Sequence, residues 1–260
     1  MDCKSLVGGK IGLVTGATSG IGKSSAVELA KLGVNLIITG RRDSLLRELQ
    51  KELETKYGVK ALPLKLDVRN SGEVDSVLGA LPTEWKDIDI LINNAGLARG
   101  TAKVHLNSLE EIDSMVDTNV KGLLYVTRAV VPQMVARKAE GIIINIGSVA
   151  GNISYGGGAV YCGTKAAVRY ISDGLRIDLV DTPIRVTNVE PGLVETEFSI
   201  VRFAGDRDKA KKVYTGIEAL TPDDIALVVA YIVNLPKNIQ IPEIIITPAH
   251  QADSVHKHYE

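Results

Sequence analysis

Short apolar runs that alternate with amphipathic stretches constrain this chain more than any other feature of its sequence. The runs lie at 10–16, 34–39, 60–68 and 88–96, and segments with helical spacing separate them. Their apolar residues are continuous rather than alternating, as expected of strands that helices cover on both faces. The pattern predicts an α/β fold with parallel strands joined by right-handed crossovers.

The second half of the chain continues this pattern. It contains a helical stretch from about Leu109 to Lys138, a strand at 141–148, a helix that carries Tyr161 and Lys165, and strands at 183–192 and 241–247. Residues 193–216 have weak periodicity and many charges, which favours a mobile lid or substrate loop. We expect a single domain over 1–260, with cofactor bound by about 1–150 and substrate by about 151–260.

The charge balance and the cysteine count argue against a nucleic-acid-binding, membrane-binding or disulfide-stabilised protein. A formal net charge of -1, from 30 basic and 31 acidic residues, gives no field that would favour nucleic acid or an acidic membrane. Cys3 and Cys162, the only cysteines, are poor candidates for a structural disulfide. No apolar run suits a signal peptide or a membrane span. We expect a soluble cytoplasmic protein without nucleic-acid or membrane partners.

The glycine-rich stretch TGATSGIG, at 15–22, lies between the first strand and the first helix. Glycine permits a tight turn and close approach of a pyrophosphate, and the helix N-terminus offers free N–H groups. A simple tight loop is the alternative, but the position inside a βαβ unit favours a dinucleotide. The predicted contacts are Gly16, Thr18, Ser19, Gly20, Ile21 and Gly22.

Two arginines follow the second strand, in TGRRD. In dinucleotide folds the residue about 20 positions beyond the glycine turn selects the cofactor, and an acidic residue there binds the ribose 2′-OH of NAD. Arg41 and Arg42 can instead form forked, charge-assisted hydrogen bonds to a 2′-phosphate, which favours NADP. The alternative is a pair of solvated arginines, one of them neutralised by Asp43 as a helix N-cap.

Five motifs occur in one order along nearly the whole chain. They are TGATSGIG, NNAG at 93–96, Ser148 after a strand, YCGTK at 161–165 and PGLVET at 191–196. With this set the sequence resembles the short-chain dehydrogenase/reductase family. The resemblance implies a Rossmann fold, that is, a doubly wound parallel sheet of about seven strands with helices on both faces. It also implies a nicotinamide cofactor and four catalytic residues, Ser148, Tyr161, Lys165 and Asn119.

The same resemblance assigns the remaining cofactor contacts. Asp67 and Val68 would contact the adenine, and Lys165 would bond the nicotinamide ribose. The adenosine side of the cofactor would contact Asn94, Ala95 and Gly96. The nicotinamide carboxamide and the phosphates would contact Pro191, Gly192, Val194 and Thr196. A simple strand-to-helix turn is the alternative interpretation of 93–96.

The pairing of Tyr161 with Lys165 has a chemical reason. Four positions on a helix place the two side chains roughly 40° apart around the axis and about 6 Å along it, so both can reach one small molecule. Alcohol oxidation needs a base at the hydroxyl, and tyrosine is a poor base at its free pKa of roughly 10. We expect the Lys165 ammonium and an oxidised nicotinamide to lower the Tyr161 pKa.

Three neighbouring residues each have two interpretations. Ser148 would stabilise charge on the substrate oxygen, or it only caps the loop after its strand. Asn119 would orient a water chain behind Lys165, or it is a polar residue of helix packing. Cys162 is favoured as a packing residue because it lies about 100° around the helix from Tyr161.

One subgroup of the family is especially similar, the NADP-dependent 3-hydroxy acid dehydrogenases that also oxidise serine and allo-threonine. The segments that carry this similarity are 66–70, 81–100, 144–151, 190–206 and 219–226. It implies hydride transfer between NADP and a small 3-hydroxy acid, with Tyr161 and Ser148 at the substrate. Arg202 would bind the substrate carboxylate, whereas a surface salt bridge to Asp206 or Asp208 is the alternative.

Other functions fit the sequence less well. A hydrolase would need G-x-S-x-G around Ser148, which stands in IGSVA. A silent NADP sensor would not need the Tyr–Lys pair, and a 3-oxoacyl thioester reductase is the alternative within the enzymes. His256 and His258 offer a metal pair, but a solvated tail is favoured and no metal is expected. By resemblance, the helices at 109–138 and 158–181 would assemble a homotetramer.

Overall fold

Strands and helices alternate from end to end in this computed structural model, which describes residues 5–259. Within that range the seven strands are β1 (Ile11–Val14), β2 (Asn35–Gly40), β3 (Ala61–Lys65), β4 (Ile88–Asn93), β5 (Ile142–Ile146), β6 (Arg185–Pro191) and β7 (Glu243–Ile246). The α-helices are α1 (Gly20–Lys31), α2 (Asp43–Tyr57), α3 (Ser71–Gly79), α4 (Leu109–Val116), α5 (Leu123–Ala136), α6 (Ala159–Asp178), α7 (Glu197–Arg202), α8 (Arg207–Lys212) and α9 (Pro222–Val233).

The strands form one sheet in the order β3-β2-β1-β4-β5-β6-β7. Each neighbouring pair is parallel, as the register Val14↔Ile38 between β1 and β2 and Val14↔Ile92 between β1 and β4 illustrates. The chain direction across the sheet therefore reverses between β1 and β4, which is where ligands bind in open α/β sheets. The predicted doubly wound parallel sheet is confirmed.

Both faces of the sheet are covered. On one face Leu29 of α1, Leu46 of α2 and Val229 of α9 pack against β-strand residues such as Ile38, all at 0% exposure. On the other face α3 and α5 pack against the sheet, and Val126 meets the strand residues Leu91 and Ile143. Continuous apolar strands are the physical consequence of this two-sided burial.

Two helical predictions differ from the structure. The stretch expected to be one helix over Leu109–Lys138 is divided by a π-helical turn at Asp117–Gly122 and ends at Ala136. Helix α9 is absent from the sequence-based prediction, although Thr221 and Asp224 form a capping box at its start. Its run ALVVAYIV, at 226–233, is apolar and rich in β-branched residues, and such a run does not by itself distinguish a buried helix from a buried strand.

The C-terminal segment 248–259 folds back instead of forming the expected solvated tail. Gln251 pairs with Lys257, and the Asp253 carboxylate accepts from the backbone N–H of Val255 and His256. The imidazoles of His256 and His258 are exposed, and the His256 ring pairs with Asp253 at 2.8 Å. Within residues 5–259 no helix is long and apolar enough to cross a membrane.

Candidate active site

A cleft of about 540 Å³ opens at the carboxyl ends of the strands, above the point where the strand order reverses. It collects side chains from widely separated parts of the chain. The predicted residues that line it are Gly16, Thr18, Ser19, Gly20, Ile21, Arg41, Arg42, Asp67, Val68, Asn94, Ala95, Gly96, Ser148, Tyr161, Lys165, Pro191, Gly192, Val194, Thr196 and Arg202. Gly22 and Asn119 lie behind its wall.

The glycine turn forms one end of the cleft. Gly16 and Gly20 have φ values of +66° and +54°, a region that glycine enters without strain. The amide of Asn94 donates to the carbonyl oxygens of Thr15 at 2.9 Å and Gly16 at 3.2 Å, which ties the turn to the end of β4. A Cβ at Gly22 would overlap both that amide and the Gly16 carbonyl.

The first turn of α1 points its free N–H groups at this end of the cleft. Ser19 stands at the N-cap position but makes no capping hydrogen bond with its side chain. An N-terminus of this kind carries partial positive charge and unsatisfied donors, which suit a pyrophosphate. The turn is therefore the right size and chemistry for a dinucleotide.

Arg42 has partners that the sequence does not reveal. Its guanidinium donates to Thr18 Oγ1 at 2.9 and 3.1 Å, to Ser19 Oγ at 2.8 Å and to Glu197 Oε2 at 3.0 Å. Asp43 pairs instead with Arg47 at 2.8 Å, and the N-cap residue of α2 is Arg42 itself. The alternative in which Asp43 neutralises one of the two arginines is therefore wrong.

Asp67 lies near the two arginines on the opposite wall. Its carboxylate pairs with Arg69 at 2.6 Å, and this hydrogen bond holds the Asp67 pKa below its usual range. Asp67 and the adjacent Val68 both line the cleft. Arg41 is exposed next to them, so the Arg41–Arg42 end of the cleft has an excess of positive charge.

Tyr161 and Lys165 face the other end of the cleft from α6. Lys165 Nζ donates to the main-chain oxygen of Ile146 at 2.7 Å and lies 5.9 Å from the centroid of the Tyr161 ring. Burial lowers the Lys165 pKa to about 8, and the negative charge of Glu190 partly opposes that shift. The lysine is thus held beside the phenol but is bonded to the end of β5.

The expected lowering of the Tyr161 pKa is not seen in this structure. Burial raises the pKa of Tyr161, and the neighbouring Tyr155 raises it further. The Ser148 hydroxyl and the Arg202 guanidinium favour the phenolate, but they do not overcome the loss of hydration. The sequence argument underestimated how deeply the helix buries this ring, which is 9% exposed.

Ser148 lies at the end of β5, where the chain enters a 3₁₀ turn at Val149–Gly151. Its hydroxyl accepts from the Ala150 N–H at 3.2 Å and donates to the Pro191 oxygen at 3.4 Å. The serine therefore caps the loop, as the alternative interpretation states, and also faces the cleft. Capping the loop and facing the cleft are therefore compatible for Ser148.

Asn119 lies in the π-helical turn, behind Lys165. Its amide donates to the Leu97 oxygen at 2.8 Å and to Thr164 Oγ1 at 3.0 Å, and its oxygen accepts from the Leu97 N–H at 2.8 Å. A Cβ at Gly96 would lie 3.4 Å from the Asn119 oxygen and 3.6 Å from Lys165 Nζ, so both groups adjoin Gly96. π-Helical turns of this kind are frequent at functional sites.

Arg202 reaches the cleft from α7. Its guanidinium donates to the Tyr155 hydroxyl at 2.9 Å and to the Gly100 oxygen at 3.1 Å. Asp206 pairs with Lys209 at 3.2 Å, so the alternative of an Arg202 salt bridge to Asp206 or Asp208 is wrong. The sequence did not single out Tyr155, which lies in a glycine-rich turn without periodicity.

The segment 193–216 covers the substrate end of the cleft. The Gly100 N–H donates to the Arg202 oxygen at 2.9 Å, and Arg99 donates to the Val201 oxygen at 3.1 Å. The C-terminal segment closes the same end with Gln251, Ser254 and Lys257, which no motif indicated. These contacts join regions that are far apart in sequence, so no local pattern could reveal them.

Cys162 packs in a small apolar cluster with Met115, Leu97 and Tyr161, at 4% exposure. This agrees with its interpretation as a packing residue. Cys3 lies outside the described residues, so the expectation for the cysteine pair is not tested. Helix α6 therefore carries Tyr161 and Lys165, which line the cleft, and Cys162, which packs in the apolar cluster.

Comparison with known proteins gives the family. A family model described as short chain dehydrogenase matches residues 10–206. The chain belongs to the short-chain dehydrogenase family. Its resemblance to that family, its Rossmann-type fold and its order of motifs are thereby confirmed.

Several short-chain dehydrogenases are similar over almost the whole chain. The NADP-dependent 3-hydroxy acid dehydrogenase of Schizosaccharomyces pombe is 49% identical over 97% of this chain and 97% of its own length. The enzyme of that name from Escherichia coli K12 is 49% identical over 92% of this chain and 95% of its own. A structure of the closed form of serine dehydrogenase complexed with NADP+ has a TM-score of 0.90 and 47% identity, and covers 96% of this chain and 99% of that one.

Proposed function

We propose that this short-chain dehydrogenase transfers a hydride between NADP and a small 3-hydroxy acid of the serine, allo-threonine or 3-hydroxypropionate type. The observation that carries the proposal is the position of Arg202. Its guanidinium lines the same cleft as Tyr161 and Ser148 and is bonded to a phenol and a carbonyl rather than to a carboxylate. The names and structures of the similar proteins support the same substrate class.

NADP fits the opposite end of the cleft. The glycine turn and the first turn of α1 would hold the pyrophosphate, and Arg41 and Arg42 would hold the 2′-phosphate. Asp67 and Val68 would flank the adenine, and the segments Asn94–Gly96 and Pro191–Thr196 would line the remainder. When bound, oxidised NADP accepts the hydride and adds positive charge at the nicotinamide.

The residues of the chain would perform the proton chemistry. Tyr161 Oη takes the proton of the substrate hydroxyl, and Ser148 Oγ holds the substrate oxygen while its charge changes. Because burial raises the Tyr161 pKa, the phenolate needs nearby positive charge, and Lys165 and Arg202 are cations that line the cleft beside the ring. Asn119 adjoins Lys165 through Gly96 and would hold that lysine in place.

Arg202 would orient the substrate. A guanidinium binds a carboxylate with two parallel hydrogen bonds, which fixes both the position and the rotation of the acid. Tyr155 holds the guanidinium at 2.9 Å, and its ring lies 5.4 Å from the guanidinium carbon. A carboxylate on Arg202 would present the 3-hydroxyl toward Tyr161 and Ser148.

The segment 193–216 would act as a lid over the bound substrate, in a single domain whose first 150 residues bind the cofactor. The chain would form a homotetramer in the cytoplasm. Support for the assembly comes from apolar side chains left exposed on the helices that the family resemblance assigns to it. Leu109 is 78% exposed, and Tyr170 and Ile177 of α6 are 73% and 71% exposed.

The test measures NADPH formation by absorbance with each member of a panel of substrates. L-Serine, L-allo-threonine, 3-hydroxypropionate and 3-hydroxybutyrate are compared with the methyl ester of 3-hydroxybutyrate, each with NADP and with NAD. We expect turnover with NADP and a preference for the free acids over the ester. Equal activity on acid and ester would refute the hydroxy-acid proposal, and activity only on carbonyl compounds would indicate a reductase of another class.

A further inference from the structure

Within residues 5–259, only one acidic side chain and one lysine are buried, and they lie on facing elements. Glu190, near the end of β6, is 0% exposed, and Lys165 on α6 is 6% exposed. A buried carboxylate costs several kcal/mol unless hydrogen bonds or charges compensate it. The mechanism above does not use Glu190, so its burial calls for another explanation.

The hydrogen bonds of Glu190 come from amides rather than from cations. Asn188 Nδ2 donates to one carboxylate oxygen at 2.7 Å, and Asn152 Nδ2 donates to the other. Amide donors satisfy the oxygens but leave the negative charge in place. That charge acts on the basic groups of α6, namely Lys165 and Arg169.

The bond to Asn152 reaches the loop that carries Ser148. Asn152 directly follows the 3₁₀ turn at Val149–Gly151. At Gly151 a Cβ would lie 2.9 Å from the carbonyl carbon and oxygen of Lys165, so the loop packs directly on the backbone of α6. Glu190 therefore connects β6 to the segment that sets the distance between Ser148 and the Tyr161–Lys165 helix.

A row of polar residues extends from Glu190 to the edge of the sheet. Asn188 is in register with Asn145 on β5 and with Glu243 on β7. Glu243 pairs with Arg169 at 2.8 Å, at the outer end of the row. The ionisable groups around Glu190 are thus Lys165 and Arg169 on α6 and Glu243 on β7.

We propose that Glu190 is a positioning residue of this active site, which anchors the Ser148–Asn152 loop through Asn152. The inference rests on the proposed function in assigning Ser148 to the substrate oxygen. The bond between Glu190 and Asn152 fixes the end of this loop where it packs on α6, the helix that carries Tyr161 and Lys165.

The experiment removes the anchor from either end. Glu190→Asp draws the carboxylate away from Asn152, and Asn152→Ala removes the donor itself. Glu190→Gln keeps the side-chain length, but its NH2 group faces one of the two amide donors, so it also loses a hydrogen bond. Glu140→Gln, at a surface ion pair with Lys237, is the control for loss of a carboxylate. Each variant is measured for NADP affinity by calorimetry and for kcat and KM with the best substrate, and thermal unfolding verifies that it is folded.

We expect Glu190→Asp and Asn152→Ala to lower kcat about tenfold with little change in KM or in NADP affinity, since Ser148 shifts. Glu190→Gln should show a loss of the same kind. Glu140→Gln should match the wild type in both measurements. If Glu190→Asp does not fold, Asn152→Ala decides the inference.

The inference is overturned by wild-type kcat in folded Glu190→Asp and Asn152→Ala. It is also overturned if NADP affinity falls as much as kcat, because that result would indicate a general loss of structure. A wild type that binds NADP but oxidises none of the acids refutes the proposed function. The variants are then compared with the wild type on the carbonyl compound that it reduces, so the two failures are distinguishable.

Discussion

Arg42 and Glu197 form an ion pair at 3.0 Å that joins the glycine-turn end of the cleft to the start of helix α7. The two side chains are 45% and 54% exposed, so the pair itself contributes little to stability. The pair matters because of its position: the Glu197 carboxylate occupies the guanidinium that we expect to bind the 2′-phosphate. A bound phosphate and Glu197 would compete for one nitrogen of Arg42, while Thr18 and Ser19 hold the others.

Replacing Arg42 should change the choice of cofactor. In Arg42→Ala we expect the Kd for NADP to rise about 10- to 100-fold, because hydrogen bonds to a charged group contribute about 1.5–3 kcal/mol. The Kd for NAD should change little, because NAD lacks the phosphate. Calorimetric titration with both cofactors measures the ratio. Arg47→Ala, on the same helix, is the control, and equal losses for NADP and NAD would remove Arg42 from the phosphate site.

Removing the phenolic hydroxyl should stop the chemical step without affecting the cofactor. Tyr161→Phe is expected to lower kcat by about 10²- to 10⁴-fold, the usual contribution of a general acid–base group. NADPH formation under saturating substrate measures the loss, and calorimetry should show unchanged NADP affinity. Tyr170→Phe alters an exposed tyrosine of the same helix and should retain full activity. A Tyr161→Phe enzyme with near-normal kcat would exclude Tyr161 as the base.

Arg202 should matter for acids and much less for neutral alcohols. In Arg202→Met we expect KM for 3-hydroxybutyrate to rise about 10- to 100-fold, since a charged hydrogen-bond partner of the carboxylate is lost. KM for the methyl ester should rise far less. Lys212→Met removes an exposed cation from the same lid segment and serves as the control. Equal effects on acid and ester would mean that Arg202 holds the lid only, through Gly100 and Tyr155.

A single methyl group should disable the glycine turn. Gly22→Ala places a Cβ on the Asn94 amide and the Gly16 carbonyl, so the turn must shift away from the cofactor position. We expect NADP affinity to fall more than tenfold, on the order of 1.4 kcal/mol or more. Gly79→Ala, at the end of α3, meets nothing within 4 Å and should bind NADP normally. Normal affinity in Gly22→Ala would show that the turn tolerates this displacement.

The cap of α9 should contribute to stability rather than to activity. The Thr221 hydroxyl accepts from the Asp224 N–H at 3.3 Å, and α9 packs on α1 in the core. Loss of such a cap costs about 1 kcal/mol, so Thr221→Ala should lower the free energy of unfolding by roughly that amount. Urea denaturation measures it. Thr215→Ala, an exposed change outside any helix cap, should lie within about 0.5 kcal/mol of the wild type; equal stability of both variants would contradict the assignment.

Local signals in the sequence predicted most of the sheet and both ends of the cleft. The glycine turn follows β1 directly, and Tyr161 and Lys165 share one helix, so their relationships depend on a few neighbouring residues. Continuous apolar runs marked each strand because both faces of a parallel sheet are buried. The π-helical turn at Asp117–Gly122 and helix α9 were not predicted. The π-helical turn lies inside a helical stretch with no break in composition, and the apolar run of α9 is compatible with a buried strand as well as with a helix.

Local residue patterns therefore specified the family, the order of the strands, and the residue types expected at the cofactor and hydroxyl positions. Tertiary structure decided which groups these residues meet. It placed Arg202 on Tyr155, Lys165 on the Ile146 carbonyl, and Glu190 between Asn188 and Asn152. It also buried the Tyr161 ring, which raises the pKa of the phenol, because burial depends on every element packed around the ring. Contacts between distant segments and the loss of hydration arise only when the chain is folded, and no local pattern encodes them.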